Sequence, residues 1–186
     1  MKGLSEKVVL EFCDETLGTV VFRYPFMGDA SGMRDYKNSL VDEKAEIGRQ
    51  ERVNLEEVID SLSDHIKEIK KENRIGLVVE IGGEIMGHGK ITKKRQASSH
   101  VGKLSIGLRE EARGHGVGSK LMESLISEAR KELDIELVTL GVFDTNEKAR
   151  NLYRNYGFEE IGRLEDGIKQ DKRYKDLIRM KKDLRS

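Results

Sequence analysis

Between Arg113 and Gly118 the chain reads Arg-Gly-His-Gly-Val-Gly, followed directly by Ser119-Lys120. Glycines at 114, 116 and 118 let backbone N–H groups come close to a ligand. A helical apolar pattern begins at Ser119, so the loop opens into a helix whose N-terminus carries about half a positive charge. That combination suits phosphate oxygens and implies a phosphate-bearing ligand. Two other glycine signatures fit poorly. A P-loop needs Gly-Lys-Ser/Thr where this chain has Gly118-Ser119-Lys120, and a dinucleotide fingerprint needs GxGxxG where this chain has GxGxG. The plain alternative is a turn that only joins a strand to a helix.

Other reactive residue types are sparse. Cys13 is the single cysteine, which excludes an internal disulfide and reads as a small buried hydrophobe. His65, His88, His100 and His115 lack metal-ligand spacing, no HExxH occurs, and no metal is expected. The 186 residues fit one domain, with 34 Lys+Arg against 34 Asp+Glu interleaved along the chain. That balance gives no polybasic surface for nucleic acid. Glu6 and Glu11 interrupt what would have to be an apolar leader, and no apolar run reaches the ~20 residues of a membrane span. The expectation is a cytoplasmic protein without a membrane partner.

The elements that must carry the loop read as one α/β unit. Lys7–Phe12 and Thr19–Tyr24 are β-branched and aromatic runs around the turn-like segment 14–18, a hairpin signal. Residues 29–51 are mostly polar, with Met33, Tyr36 and Leu40 at helical spacing, and predict one or two short helices. Asn54-Leu55-Glu56-Glu57 is a capping box, followed by Val58, Ile59, Leu62, Ile66 and Ile69 at helical intervals. Gly76–Ile81 and Glu84–Thr92 flank the tight turn Gly82-Gly83, and a further strand runs over His100–Leu108. Ser119–Leu133 is an amphipathic helix, Leu137–Val142 a strand, and Ala149, Leu152, Tyr153 and Tyr156 a short helix stopped by Gly157. Strands near Phe158–Arg163 and Tyr174–Lys181 close the order.

Two blocks carry a family resemblance. Leu108 to Leu121, with Arg113 directly before the first glycine, is similar to the acetyl-CoA pyrophosphate loop of the GNAT superfamily of N-acetyltransferases. Asn146 to Phe158 resembles that family's Asn-x-x-Ala-x-x-Leu-Tyr-x-x-x-Gly-Phe. Leu77–Gly87 and the ending Tyr174–Met180 extend the likeness over roughly residues 77 to 180. The tail is similar to a subgroup acting on protein N-termini and small-molecule amines. The resemblance implies a mixed, mostly antiparallel central sheet, flanked by helices, with a splayed cofactor cleft. It divides residues 1–186, one acetyltransferase domain, into a hairpin (1–24), a variable helical acceptor-side region (25–75) and an acetyl-CoA-binding core (76–181).

It also implies roles. Ile106, Gly107 and Leu108 take the positions that pair with the pantetheine arm, and the Leu108 N–H faces the thioester carbonyl as an oxyanion donor. The amides of Arg113, Gly114, His115, Gly116, Val117 and Gly118, with Ser119, hold the pyrophosphate, to which Arg113 or Lys120 adds charge, unless both are solvated. Tyr153 protonates the departing thiolate, since an ordinary phenol stays protonated at neutral pH, although its place among Ala149, Leu152 and Tyr156 also suits core packing. Asn146 is an N-cap or a cofactor contact. No residue is marked to take the proton of the attacking amine: Glu80 and His88 of the central hairpin either face the cleft or are exposed or paired strand residues, and the resemblance also allows a water relay.

The reaction expected is acetyl transfer from acetyl-CoA to a primary amine by direct attack. Cys13 is remote from the cofactor motifs, which disfavours a covalent route. A non-catalytic acyl-CoA-binding regulatory module and a nucleotide binder are the alternatives. Acceptors range from a protein N-terminus or lysine to a polyamine or a small amine-bearing metabolite or antibiotic. Acidic residues of the variable half, Asp29, Asp35, Asp42, Glu43 and Glu46, either attract a cationic amine or form a solvated face. Exposed sheet edges and the resemblance suggest a homodimer.

Overall fold

The turn at residues 14–18 is built by Asp14, whose Oδ1 accepts hydrogen bonds from the N–H groups of Thr16 and Leu17 at 3.0 and 2.9 Å. It joins β1 (Val8–Asp14) to β2 (Gly18–Arg23) in an antiparallel hairpin. The computed structural model describes residues 7–185; Glu6, used above against a leader, lies outside them. Residues 29–51 form one helix, α1 (Ala30–Asp42), not two, entered through a single 3-10 turn. In α2 (Leu55–Lys70) the capping box closes both ways: the Glu57 N–H donates to Asn54 Oδ1 at 2.9 Å, and the Asn54 N–H donates to Glu57 Oε2 at 3.2 Å.

β3 (Arg74–Ile81) and β4 (Glu84–Lys93) meet at Gly82-Gly83, both with positive φ, 59° and 82°, as a two-residue hairpin turn requires. Then follow β5 (Val101–Leu108), α3 (Val117–Glu132), β6 (Leu137–Phe143), α4 (Glu147–Asn155), β7 (Glu159–Gln170) and β8 (Arg173–Asp183). β7 runs well past the expected end at Arg163. Its far half is polar and interrupted by register shifts near Gly162 and between Leu164 and Ile168, so no two-residue alternation marks it in sequence.

Among the described residues eight strands form one sheet in the order β1-β2-β3-β4-β5-β6-β8-β7, antiparallel throughout except β5–β6. α3 covers one face, where Leu121, Met122 and Leu125 pack with Leu77, Val79, Ile91 and Leu104. α1 and α2 cover the other, where Met33, Tyr36, Leu40, Val58 and Leu62 pack with Val78 and Ile85. Cys13 is exposed, contrary to the buried hydrophobe read from sequence. The two-residue period of β1 sends Phe12 inward, edge-to-face with Phe22 at 5.7 Å, and turns Cys13 the other way. Among the described residues no helix is long and apolar enough to cross a membrane.

Candidate active site

β5 and β6 pair for only three residues, Val101–Lys103 against Leu137–Thr139, and then part. Ladder hydrogen bonds alternate along an antiparallel pair. On β5 the Arg109 N–H donates to Met86 and the Lys94 N–H to the Val101 carbonyl, so the odd-numbered residues face β4. Ile106 and Leu108 therefore turn their backbone N–H and C=O groups into the opening, whereas the Leu104 N–H closes the last pair with Thr139 and only its C=O is turned there. On β6 the Asp144 N–H donates to the Asp176 carbonyl, so even-numbered residues face β8 and the backbones of Gly141 and Phe143 face the opening. The result is a wedge lined on both sides by strand edges inside a continuous sheet.

At its wide end lies the glycine loop. Gly114 and Gly116 both take positive φ, 85° and 73°, and a Cβ at either would meet nothing within 4 Å, so the loop backbone is open to approach. Gly116 is the N-cap of α3 and has no side chain to satisfy the helix start. The first helical donor is Lys120, bonded to the Gly116 carbonyl at 3.1 Å, which leaves the N–H groups of Val117, Gly118 and Ser119 as orphan donors of the first turn.

The face of β4 and β5 that carries α1 and α2 encloses a cavity of about 390 Å³ against the wedge. Its floor includes His88 and Lys90 of β4 and Ser105, Ile106 and Gly107 of β5, and its walls include Tyr36, Lys37, Arg49, His65 and Arg74. Gly107 is required there: a Cβ would fall 2.5 Å from the Tyr36 hydroxyl. His65 and His88 stack edge-to-face at 5.1 Å, and Gly76 makes room for the His65 ring, whose Nε2 lies 2.0 Å from where its Cβ would be. Burial holds both imidazoles neutral, His88 at a pKa of about 3 and His65 lower still.

The profile of the Acetyltransferase (GNAT) family matches residues 39–158, which include α2, the cavity floor, the wedge, the glycine loop and α4. The chain belongs to the GNAT acetyltransferase family. It is 34% identical over 104 residues to the L-amino acid N-acetyltransferase AaaT of Escherichia coli K12, an alignment covering 54% of this chain and 64% of that relative. The chain thus spans less than two thirds of that relative's length. Its fold is similar to the ribosomal-protein-alanine N-acetyltransferase of Brucella melitensis, with a TM-score of 0.78 and 27% identity over 88% of this chain and 99% of that one. A Salmonella typhimurium protein solved with acetyl-CoA gives a TM-score of 0.78 at 20% identity, covering 89% and 94%.

Within the GNAT frame the sequence-marked residues divide. Leu108 and Ile106 sit on the wedge by their backbones, and Gly107 lies between them facing the cavity. Tyr153 is half-buried on α4 against Phe158, ring centres 5.8 Å apart, and burial pushes its pKa up to about 12. Its neighbour Leu152 reaches 3.8 Å from where a Gly118 Cβ would be, with Leu108 at 3.5 Å on the other side, so α4 borders the start of α3 at the wedge. Asn146 caps α4, its Oδ1 accepting from the Ala149 N–H at 3.0 Å.

Arg113 does not present its guanidinium to the loop: Nε and Nη2 donate to the Leu108 carbonyl at 3.0 and 2.7 Å, and Nη2 also meets Glu43. His115 Nδ1 lies 3.5 Å from Asp14, and the Lys120 ammonium sits over the Phe12 ring at 4.9 Å. The acidic residues expected to draw a cationic amine are all engaged elsewhere: Asp29 with Arg23, Asp35 with Arg34, Asp42 with Arg52, Glu43 with Arg113 and Glu46 with Lys175. None of them lines the cavity. Glu80 is tied to Arg23 at 2.8 Å and is also off the cavity wall, whereas His88 is on it. Tyr36, Lys37, His65 and Arg74 escaped sequence reading as site residues because only the packing of α1 and α2 on the sheet brings them together.

Proposed function

We propose that this chain transfers an acetyl group from acetyl-CoA to a primary amine, the amine attacking directly with both substrates bound. The observation that carries this reading is the wedge, which joins unpaired strand backbone, a helix N-terminus at one end and a half-open cavity alongside. When bound, acetyl-CoA supplies an activated acetyl thioester in the wedge. The Ile106 backbone and the Leu108 N–H offer an extended arm the pairing that β6 withholds. The N–H groups from Gly114 to Ser119 hold the pyrophosphate against the dipole of α3. Arg113 contributes by fixing the Leu108 carbonyl, not by direct charge.

The Leu108 N–H points where negative charge develops as the amine attacks, and a preset donor of this kind is worth roughly 3–4 kcal/mol. Tyr153 is the proton donor to the departing thiolate. Burial keeps its phenol fully protonated at neutral pH, and the same low-dielectric surroundings raise the departing thiol as well, which limits the mismatch between the two. His88 is too weak a base to take a proton from an ammonium, so solvent reaching the amine through the cavity removes it.

The test is direct. Acetyl-CoA at about 100-fold over its dissociation constant should add ~2.7 kcal/mol of stability, and amines should then release free thiol. Binding without thiol release from any amine would mark a regulatory module; stabilisation by ATP or NAD and not by either CoA species would overturn the reading. We place the protein in the cytoplasm, on its single exposed cysteine, which a fractionation experiment checks. The exposed Ile161, Leu164 and Tyr174 on the β7–β8 hairpin support a homodimer, and a monomer by sedimentation at micromolar concentration would remove it.

A further inference from the structure

The cavity beside the wedge is one-sided in charge. Lys37 of α1, Arg49 of the following loop, Arg74 of β3 and Lys90 of β4 all line it, and among the described residues no carboxylate does. Arg74 is partly answered: Glu68 and Asp64 lie behind it, and it bonds Thr92 Oγ1 at 3.0 Å and His65 Nδ1 at 3.1 Å. Among the described residues Lys37 has only a neutral partner, Ser61 Oγ at 3.1 Å. Burial, with Arg49 and Lys90 beside Lys37 and with Arg74 and Lys103 beside Lys90, pushes both ammonium groups below the ordinary lysine range. Like charges crowded into a partly desolvated site are unfavourable unless something negative joins them.

The register says where that something sits. Gly76, Lys90 and Ser105 lie side by side across β3, β4 and β5, and Val78, His88 and Gly107 form the next row on the same face. Two residues along a strand is roughly 7 Å. The Gly107 row adjoins the Leu108 N–H, where the attacking nitrogen must arrive; the Lys90 row lies one step further from it. His88 belongs to the Gly107 row, and its Nε2 is buried with no hydrogen-bond partner among the described residues.

We infer that the acceptor is a small amine bearing an anionic group, a carboxylate or phosphonate, held by Lys90, Lys37 and Arg49 while its nitrogen reaches the Gly107 row. This rests on the acetyl-transfer reading for the role of the wedge, but the anion site stands on the cavity alone. A polyamine or a lysine-rich peptide is disfavoured by the same charges, and the volume of the cavity suits a small molecule.

The experiment pairs binding with turnover. With CoA present, the full chain is titrated calorimetrically with matched probes: α- and ω-amino carboxylates and aminoalkylphosphonates, their carboxamide counterparts, and putrescine. The expected result is at least about tenfold tighter binding of the anionic member of a pair, and loss of that preference in Lys90→Met and Lys37→Met with acetyl-CoA affinity kept. Equal binding of acid and amide across the panel, or preference for putrescine, overturns the inference. Turnover of putrescine or amides alone would leave acetyl transfer standing and sink the anion site. Anion binding that depends on Lys90 without thiol release would keep the site and sink the acetyl-transfer reading.

Discussion

Arg113 reaches back across its own turn to grip the carbonyl of Leu108, with Nε at 3.0 Å and Nη2 at 2.7 Å. Leu108 is the last residue of β5, and its N–H and C=O point the same way, into the wedge. Holding the carbonyl fixes the peptide that follows Leu108, and so limits rotation of the residue whose N–H is the proposed oxyanion donor; the contact to Glu43 ties it to the end of α1. Arg113→Met should therefore lower kcat by about tenfold or more while leaving the folded state intact, since the side chain is partly exposed. Arg113→Lys should rescue poorly, because an ammonium lacks the fork that donates twice to one oxygen. Steady-state kinetics beside thermal melts check both; wild-type kcat in the Met variant would remove the positioning role.

Tyr153→Phe removes the proposed proton donor and keeps the ring that packs on Phe158. Turnover should fall by about a hundredfold with little change in acetyl-CoA affinity. With its pKa at about 12, the wild-type phenol should cause no loss of activity up to pH 10. A pH-rate profile of wild type and variant tests this, and a Phe variant of unchanged kcat would assign the role elsewhere.

Gly107→Ala places a methyl group 2.5 Å from the Tyr36 hydroxyl and 3.3 Å from Leu40 Cδ1. Stability should drop by about 1–3 kcal/mol, and Tyr36→Phe in the same chain should recover part of it by removing the atom that collides. Urea unfolding of the four members of the cycle reads the coupling; strict additivity would mean that the crowding is absorbed by strand movement.

The neutral pair His65 and His88 sets an acid limit on stability. Both have folded-state pKa values depressed by burial, so below the unfolded value of about 6.5 the unfolded chain binds protons that the native state refuses. Stability is then complete above pH 6.5 and falls as pH drops, by up to about 1.4 kcal/mol per unit for each imidazole, until the folded value is reached, near 3 for His88. Denaturant melts at pH 7, 6 and 5 should show this slope, and His88→Leu should flatten it by about half. An unchanged slope in that variant would place the titration outside the pair.

Much of this was legible in the sequence because local patterns carried it: the capping box at Asn54, the Gly82-Gly83 turn, and the glycines that open α3. The proposed cofactor side is contiguous in the chain, from Ile106 to Ser119, so the sequence alone could nominate it. The acceptor side is not. Lys90 and Arg74 meet Lys37 only because β3 and β4 pair in one register and α1 crosses above them, and no spacing announces that. Asp29 and Glu43 looked available for an amine because sequence shows a charge and not its partner; Arg23 and Arg113 had already claimed them. Cys13 looked buried because the type usually is, whereas alternation along β1 decided otherwise.

The three-residue pairing of β5 with β6 leaves the amides of Ile106, Leu108, Gly141 and Phe143 without a strand partner in the middle of the sheet. In hydrogen–deuterium exchange the centre of this sheet should then behave like a margin, exchanging faster than its flanking strands. Occupying the wedge should slow that line of amides together, while leaving β1 and β7 as they were. The fold thus keeps one seam unsewn, and the molecule that enters it would report its arrival through the protection of the two strands that never fully meet.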